Sequence, residues 1–313
     1  MSALTSIFWK ELADNFGSRR FIIMVVLICL VGIFSAYLSG QVIKTEPLQT
    51  STEFLFLKVL TLPSRSLPPF IYFLGLLGSL LGIIFGFDAI NSEYSRGTVS
   101  LVLSQPVFRD SFINAKFLAG LATIAVIFMS IFLILLGLEL YMFGILPEGE
   151  ELARLAFFLS VSIIYTGFWI ALGILFSILF KQTTTSLLTS IVIWFFLTFF
   201  IYMVANVVAD QVAPITPEVT KEVILKHAKI QSIIMSISPG TLYGRTAEVV
   251  LNPSIRTLGP GLPEMVEGLI LTPLPLSQSI LIILPQLITL FLLMIICFGI
   301  SYIVFMKQEI RST

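Results

Sequence analysis

Few residues in this chain could do covalent or metal chemistry, and they do not cluster. The 313 residues include one histidine, His227, and two cysteines, Cys29 and Cys297. A single imidazole cannot supply the paired ligands of an H-E-x-x-H helix or any His-based metal cage. Both cysteines lie inside apolar runs and read as small buried hydrophobes rather than as a disulfide or a metal pair. There is no G-x-S-x-G nucleophile elbow, no G-x-x-x-x-G-K-[ST] phosphate loop and not one Gly-Lys dipeptide. The pattern argues against intrinsic hydrolase, metalloprotease or ATPase activity, and against a cofactor held by this chain. The residues that stand out are recognition residues instead. In FDAINSEYSRGTVSLVLSQPVFRDSFINAK (87–116), Asn91, Glu93, Tyr94, Arg96, Gly97, Thr98, Leu101, Pro106 and Arg109 form a stretch whose texture differs from everything around it.

The surroundings explain the contrast. Hydrophobic residues make up 57% of the chain, charged residues 12%, and the mean hydropathy is +1.02. Soluble domains carry about 25% charged residues. Lys+Arg and Asp+Glu are 18 each, so bulk charge implies no polyanionic partner and no nucleic acid. The expected class is an all-α polytopic membrane protein embedded in a lipid bilayer.

A bilayer core needs about 20 apolar residues per helix. Six segments qualify: 21–39, 70–90, 117–143, 153–180, 185–209 and 280–306. The first is too long for the apolar region of a secretory signal and follows a 20-residue amphipathic segment, so a retained span is expected. Six spans put both termini on one side. That side carries Lys10, Arg19, Arg20, Arg96, Arg109, Lys116, Lys181, Lys307 and Arg311. The short loops opposite carry Lys44, Lys58, Arg65 and Arg154. The excess places both termini in the cytoplasm. The long fifth-to-sixth connection is left out of the comparison, because long loops translocate largely regardless of charge.

Residues 1–20 form a non-spanning segment. Leu4, Phe8, Leu12 and Phe16 share one helical face, Lys10, Glu11 and Asp14 lie opposite, and Ile7 breaks the pattern. The expectation is a helix in the cytoplasmic interface, with packing on a soluble partner as the other reading. Between the first two spans, Thr50-x-x-Glu53 resembles a capping box before FLFLKVL, and a proline-rich turn follows. Residues 217–237 read as a longer helix. Thr216 caps it, Pro217 and Glu218 open it, and Val219, Val223, Ile230, Ile234 and Ile237 form its stripe. Ser238-Pro239-Gly240 ends it, and its charges argue against a seventh span. Short helices and turns are expected over the Pro- and Gly-rich 238–279.

Within 87–116 the second helix is expected to run to about Arg96 and stop at Gly97 in the left-handed conformation. Thr98 then caps a short apolar helix, Val99–Leu103, and Pro106 ends it. A short apolar helix outside the membrane suggests a protein partner. Gly78, Gly82 and Gly86 share one face of the second span, where small residues permit close helix approach. This face packs either within the subunit or at a subunit or moving interface. Asp88 and Glu93 either meet water or, in the case of Glu93, pair with Lys10, Arg19 or Arg20. Glu139, near an end of the third span, is expected to snorkel to water, and His227 to be a satisfied surface residue.

Glu93-x-x-x-Gly97-Thr98, Leu103-x-x-Pro106-x-x-Arg109 and then Lys116 at the start of a span together resemble the signature of ABC type-2 permeases. These are membrane subunits of ATP-binding-cassette exporters. The resemblance extends to the six spans, the amphipathic N-terminus, the minimal fourth-to-fifth turn (Lys181–Thr185) and the enlarged external segment 210–279. It implies one permease domain over 1–313. It also implies that 91–116 is the coupling loop docking on a separate ATPase (nucleotide-binding) subunit, which would hold ATP and Mg. A dimer with itself or a homologous permease is implied, as are cell-membrane export and a central cavity lined by the second and fifth spans. The rival is a six-span secondary transporter or channel, which would need charges or broken helices at mid-depth.

Overall fold

The computed structural model describes residues 3–45, 54–64, 67–95, 108–214, 221–256 and 273–308. Twelve α-helices are present among them, and no strand. They are α1 (Ala3–Gly17), α2 (Arg19–Thr45), α3 (Leu55–Thr61), α4 (Phe70–Gly86), α5 (Asn91–Ser95) and α6 (Arg109–Phe143). Then come α7 (Gly149–Leu179), α8 (Thr183–Phe195), α9 (Ile201–Val212), α10 (Lys221–Met235), α11 (Pro239–Leu251) and α12 (Leu276–Lys307). A π-helical turn, Phe196–Phe200, joins α8 to α9.

Among the described residues, six helical runs are long and apolar enough to cross a membrane: Arg19–Thr45, Phe70–Glu93, Arg109–Phe143, Gly149–Leu179, Thr183–Val212 and Leu276–Lys307. Several exceed the expected spans at their polar ends, because charged flanks such as Arg109–Lys116 continue the helix into paired surroundings. Their stops are chemical. Gly144 (φ 68°) ends α6 in the left-handed conformation, and a Glu148–Glu151 capping box starts α7.

The fourth span, α7, is the axis of the bundle. It packs on α4, α12, α6 and α11. The apolar window of α7 is 83% buried, against 17% for the fifth and sixth spans, which turn most of their apolar surface outward. Close helix packing in lipid depends on small residues rather than on hydrophobicity. A methyl group placed on Gly82 would sit 2.6 Å from Thr166 O, and one on Gly173 2.9 Å from Gly86 Cα. The face of Gly78, Gly82 and Gly86 is thus filled by α7 of the same chain.

α1 packs along α6, and Ile7, read from the wheel as out of pattern, joins the core instead. Asn15 Nδ2 donates to Thr123 Oγ1 of α6 (3.1 Å). At the opposite end α3, α10 and α11 cover the spans. Ser238 ends the α10 region and caps α11, accepting from Thr241 N. Thr50 and Glu53, Thr216 to Val219, and the helix expected at Val99–Leu103 lie outside the described residues.

Candidate functional site

The helix expected to reach Arg96 instead breaks after Gly86 into a turn and resumes as α5. The cause is side-chain competition for the backbone. Ser177 Oγ of α7 accepts the amides of Ile90 (2.8 Å) and Asn91 (3.0 Å). The carbonyl of Phe87 accepts from Ser186 Oγ of α8 (2.8 Å) and from Asn91 Nδ2 (3.3 Å). Asn91 is fully buried and also donates to Phe180 O. The turn is therefore held by both sides of the tight fourth-to-fifth connection.

Below it lies a charged junction. Lys116, on α6, has a side chain only 5% exposed, and its Nζ lies 2.9 Å from Glu11 and 3.5 Å from Glu93. It also sits over the Phe112 ring. Lys10 of α1 reaches Glu93 at 3.8 Å, Glu11 at 3.2 Å and Asp14 at 3.5 Å. Burial works against the Lys10 ammonium, but Glu11, Glu93 and Asp14 outweigh it and raise its pKa. Arg20, at the start of α2, pairs with Asp88 and lies over the Phe87 ring. One carboxylate, Glu93, thus joins α1, α5 and α6.

The other end of the 87–116 connection is tied independently. Arg109 Nη1 donates to Gln308 O (3.1 Å), and Gln308 Nε2 donates to Ile178 O (3.0 Å). Both ends of the connection are therefore anchored to the same end of α7. Of the expected docking residues, the structure brings Asn91, Glu93 and Arg109 to this frame. Arg96, Gly97, Thr98, Leu101 and Pro106 lie outside the described residues, as does the side chain of Tyr94.

At the opposite end sequence reasoning missed a second polar node. The charge comparison between the two faces treats Arg154 as a loop cation, but it lies inside α7 and is fully buried. It donates to Val250 O (2.7 Å), Leu274 O, Ser279 Oγ (3.3 Å) and Glu150 Oε1 (3.0 Å). It thereby staples α11 and the start of α12 to α7. Glu151 accepts from Phe56 N (3.1 Å) and holds α3. The available signal was Glu150-x-x-x-Arg154, an i,i+4 pair one turn inside a helix. Glu139 does not reach water as expected. It is 2% exposed, beside Glu151, because α3 and α7 close over the end of α6. His227 Nε2 meets Asp210 Oδ1 at 2.9 Å, and Gln231 bonds Asn206, pairing α10 with α9.

The arrangement is a set of mechanical linkages between helices, in which Glu11, Asp88, Glu93 and Glu150 each face a cation. No curated protein matches the chain. A family model described as ABC-2 family transporter protein matches residues 5–310. With nearly its whole length covered and six apolar spans in one helical bundle, this chain belongs to the ABC-2 transporter family and is a multi-pass membrane protein of the permease type.

Proposed function

We propose that the chain is the permease subunit of an ATP-driven exporter in the cell membrane, with both termini cytoplasmic. Two copies, or one copy and a homologous permease, would form the translocation path. Separate ATPase subunits, binding ATP and Mg, would dock on the 91–116 connection, and the chain itself would catalyse nothing. The observation that carries this reading is the double anchoring of that connection. Glu93 ties one side to α1 and α6, and Arg109 ties the other to Gln308. A push on a loop held at both ends is delivered to the end of α7, the most buried span, rather than dissipated in the loop. Interface helix α1 and the external segment 210–279 take the roles of lever and outer cover in this scheme.

The test is co-purification with a stand-alone ABC ATPase, followed by hydrolysis and transport measurements. Glu93→Ala and Gly97→Val should insert in the membrane yet lose ATPase association or stimulated hydrolysis. Glu148→Ala, at the opposite end, should leave association unchanged. Full association and transport in both loop variants would refute the assignment.

A further inference from the structure

Between the second span, the fifth span and α11 lies a groove of about 500 Å³. That size lies within the range of small-molecule sites, about 300–1,000 Å³. Its walls include Ile71, Tyr72, Leu76, Tyr202 and Met235. Its inner side carries Tyr165 and Tyr243, stacked 4.4 Å apart. The hydroxyls of this pair are already engaged. Tyr165 donates to Gly75 O (3.0 Å), and Tyr243 bonds Ser162 Oγ (3.1 Å). Both side chains are buried, so this pair forms a fixed floor to the groove. Tyr72 and Tyr202 are 57% and 58% exposed, so the groove is open where these two side chains line it.

Two charged residues line the groove, Arg245 and Glu248, about one turn apart on α11. They are not equivalent. Glu248 is exposed, and its carboxylate faces the Tyr72 hydroxyl. Arg245 is half-buried. Its Nη1 donates to the neutral Ser232 Oγ (2.9 Å), and it makes no ion pair among the described residues. Burial lowers its pKa, and Glu248 offsets only part of the loss. A guanidinium has further donors in a planar fork suited to carboxylate or phosphate. Partly desolvated and with no carboxylate in ion-pair contact, it carries a cost, only partly offset by Glu248, that a bound anion would relieve. The apolar walls would reject a small hydrated anion and favour one with a hydrocarbon body.

We propose that this groove binds an amphipathic anion. Its carboxylate, phosphate or sulfate head sits on Arg245, and its hydrocarbon part lies along Tyr72, Leu76 and Tyr202. That the ligand is exported cargo rests on the permease reading; that it binds does not.

The test is native mass spectrometry of the purified full chain in a nonionic detergent, without any ATPase. The probes are oleate and dioleoylphosphatidylglycerol, with dioleoylphosphatidylcholine as the zwitterionic comparison. At least one anionic probe should bind at least about tenfold more tightly than phosphatidylcholine. Arg245→Gln should lose that preference, Arg245→Lys should keep most of it, and Glu248→Gln should keep or strengthen it. Retention of the lysine variant separates a lost charge from a lost fold. Oleate binding alone identifies a free amphiphile, and phosphatidylglycerol binding alone a lipid headgroup. Either result supports the site. Unchanged anion preference in Arg245→Gln, or no preference in the wild type, overturns it. A failed ATPase co-purification alongside intact Arg245-dependent binding would overturn the permease reading and leave the groove standing.

Discussion

Lys116 and Glu93 meet at 3.5 Å across a connection whose two ends belong to different spans. The lysine is nearly buried, and Glu11 completes its pairing at 2.9 Å. This contact makes the entry and exit of the 87–116 segment one unit with α1. Any movement of the segment must either carry α1 along or break a largely desolvated ion pair.

Lys116→Met should lower stability by up to about 3–5 kcal/mol, because it removes the nearly buried ammonium between Glu11 and Glu93 and leaves the more exposed Lys10 to face both carboxylates. Thermal unfolding of the detergent-purified chain measures this. Adding Glu11→Gln and Glu93→Gln should recover part of the loss. A triple variant no more stable than Lys116→Met would mean that packing, not charge, sets the role of Lys116.

Ser177→Ala should strand two buried amides, those of Ile90 and Asn91, at about 1–3 kcal/mol each. The expected readout is a lower unfolding midpoint and weaker ATPase stimulation with the permease still assembled. Ser160→Ala, on the outward face of the same helix, should do neither.

Gly86→Val should cost about 1–3 kcal/mol or more by overpacking, since even a methyl would meet the backbone of Ile170 and Gly173. Gly137→Ala on the third span has open space around it and should be neutral or slightly stabilising. Equal midpoints for both variants would contradict the close approach of α4 and α7.

Arg154→Met should release α11 and the 273–275 segment from α7, costing about 3–5 kcal/mol and exposing that segment to protease. Arg154→Lys should rescue poorly, because one ammonium cannot replace a fork that reaches Val250, Leu274 and Glu150 together.

The orientation is testable by labelling. In a background with Cys29 and Cys297 replaced by alanine, cysteines at Ser2 and Ser312 should react only from the cytoplasm. A cysteine at Ser254, which is exposed, should react only from outside. Reaction of Ser254 and Ser312 positions from the same side would break the six-span arrangement.

Six spans, an all-α class and the family were legible in the residues alone. Apolar length is a property of composition, and a bilayer forces every backbone amide into a helix. The signature from Glu93 to Lys116 was legible because its Gly, Pro and charges contrast with the runs beside them. The sequence could also name Lys10, Arg19 and Arg20 as possible partners for Glu93. It could not choose between them. Only the fold assigned Lys10 and Lys116 to Glu93 and Arg20 to Asp88, because pairing depends on which helix faces cross. The same holds for the break after Gly86, where Ser177 and Ser186 compete for backbone groups from nearly 90 or more residues away. Burial was the least legible quantity of all. Arg154 and Glu139 sit near helix ends, where reach to water is the default. Whether they meet it was decided by α3 and α11 folding over the bundle, a long-range closure that no local pattern encodes.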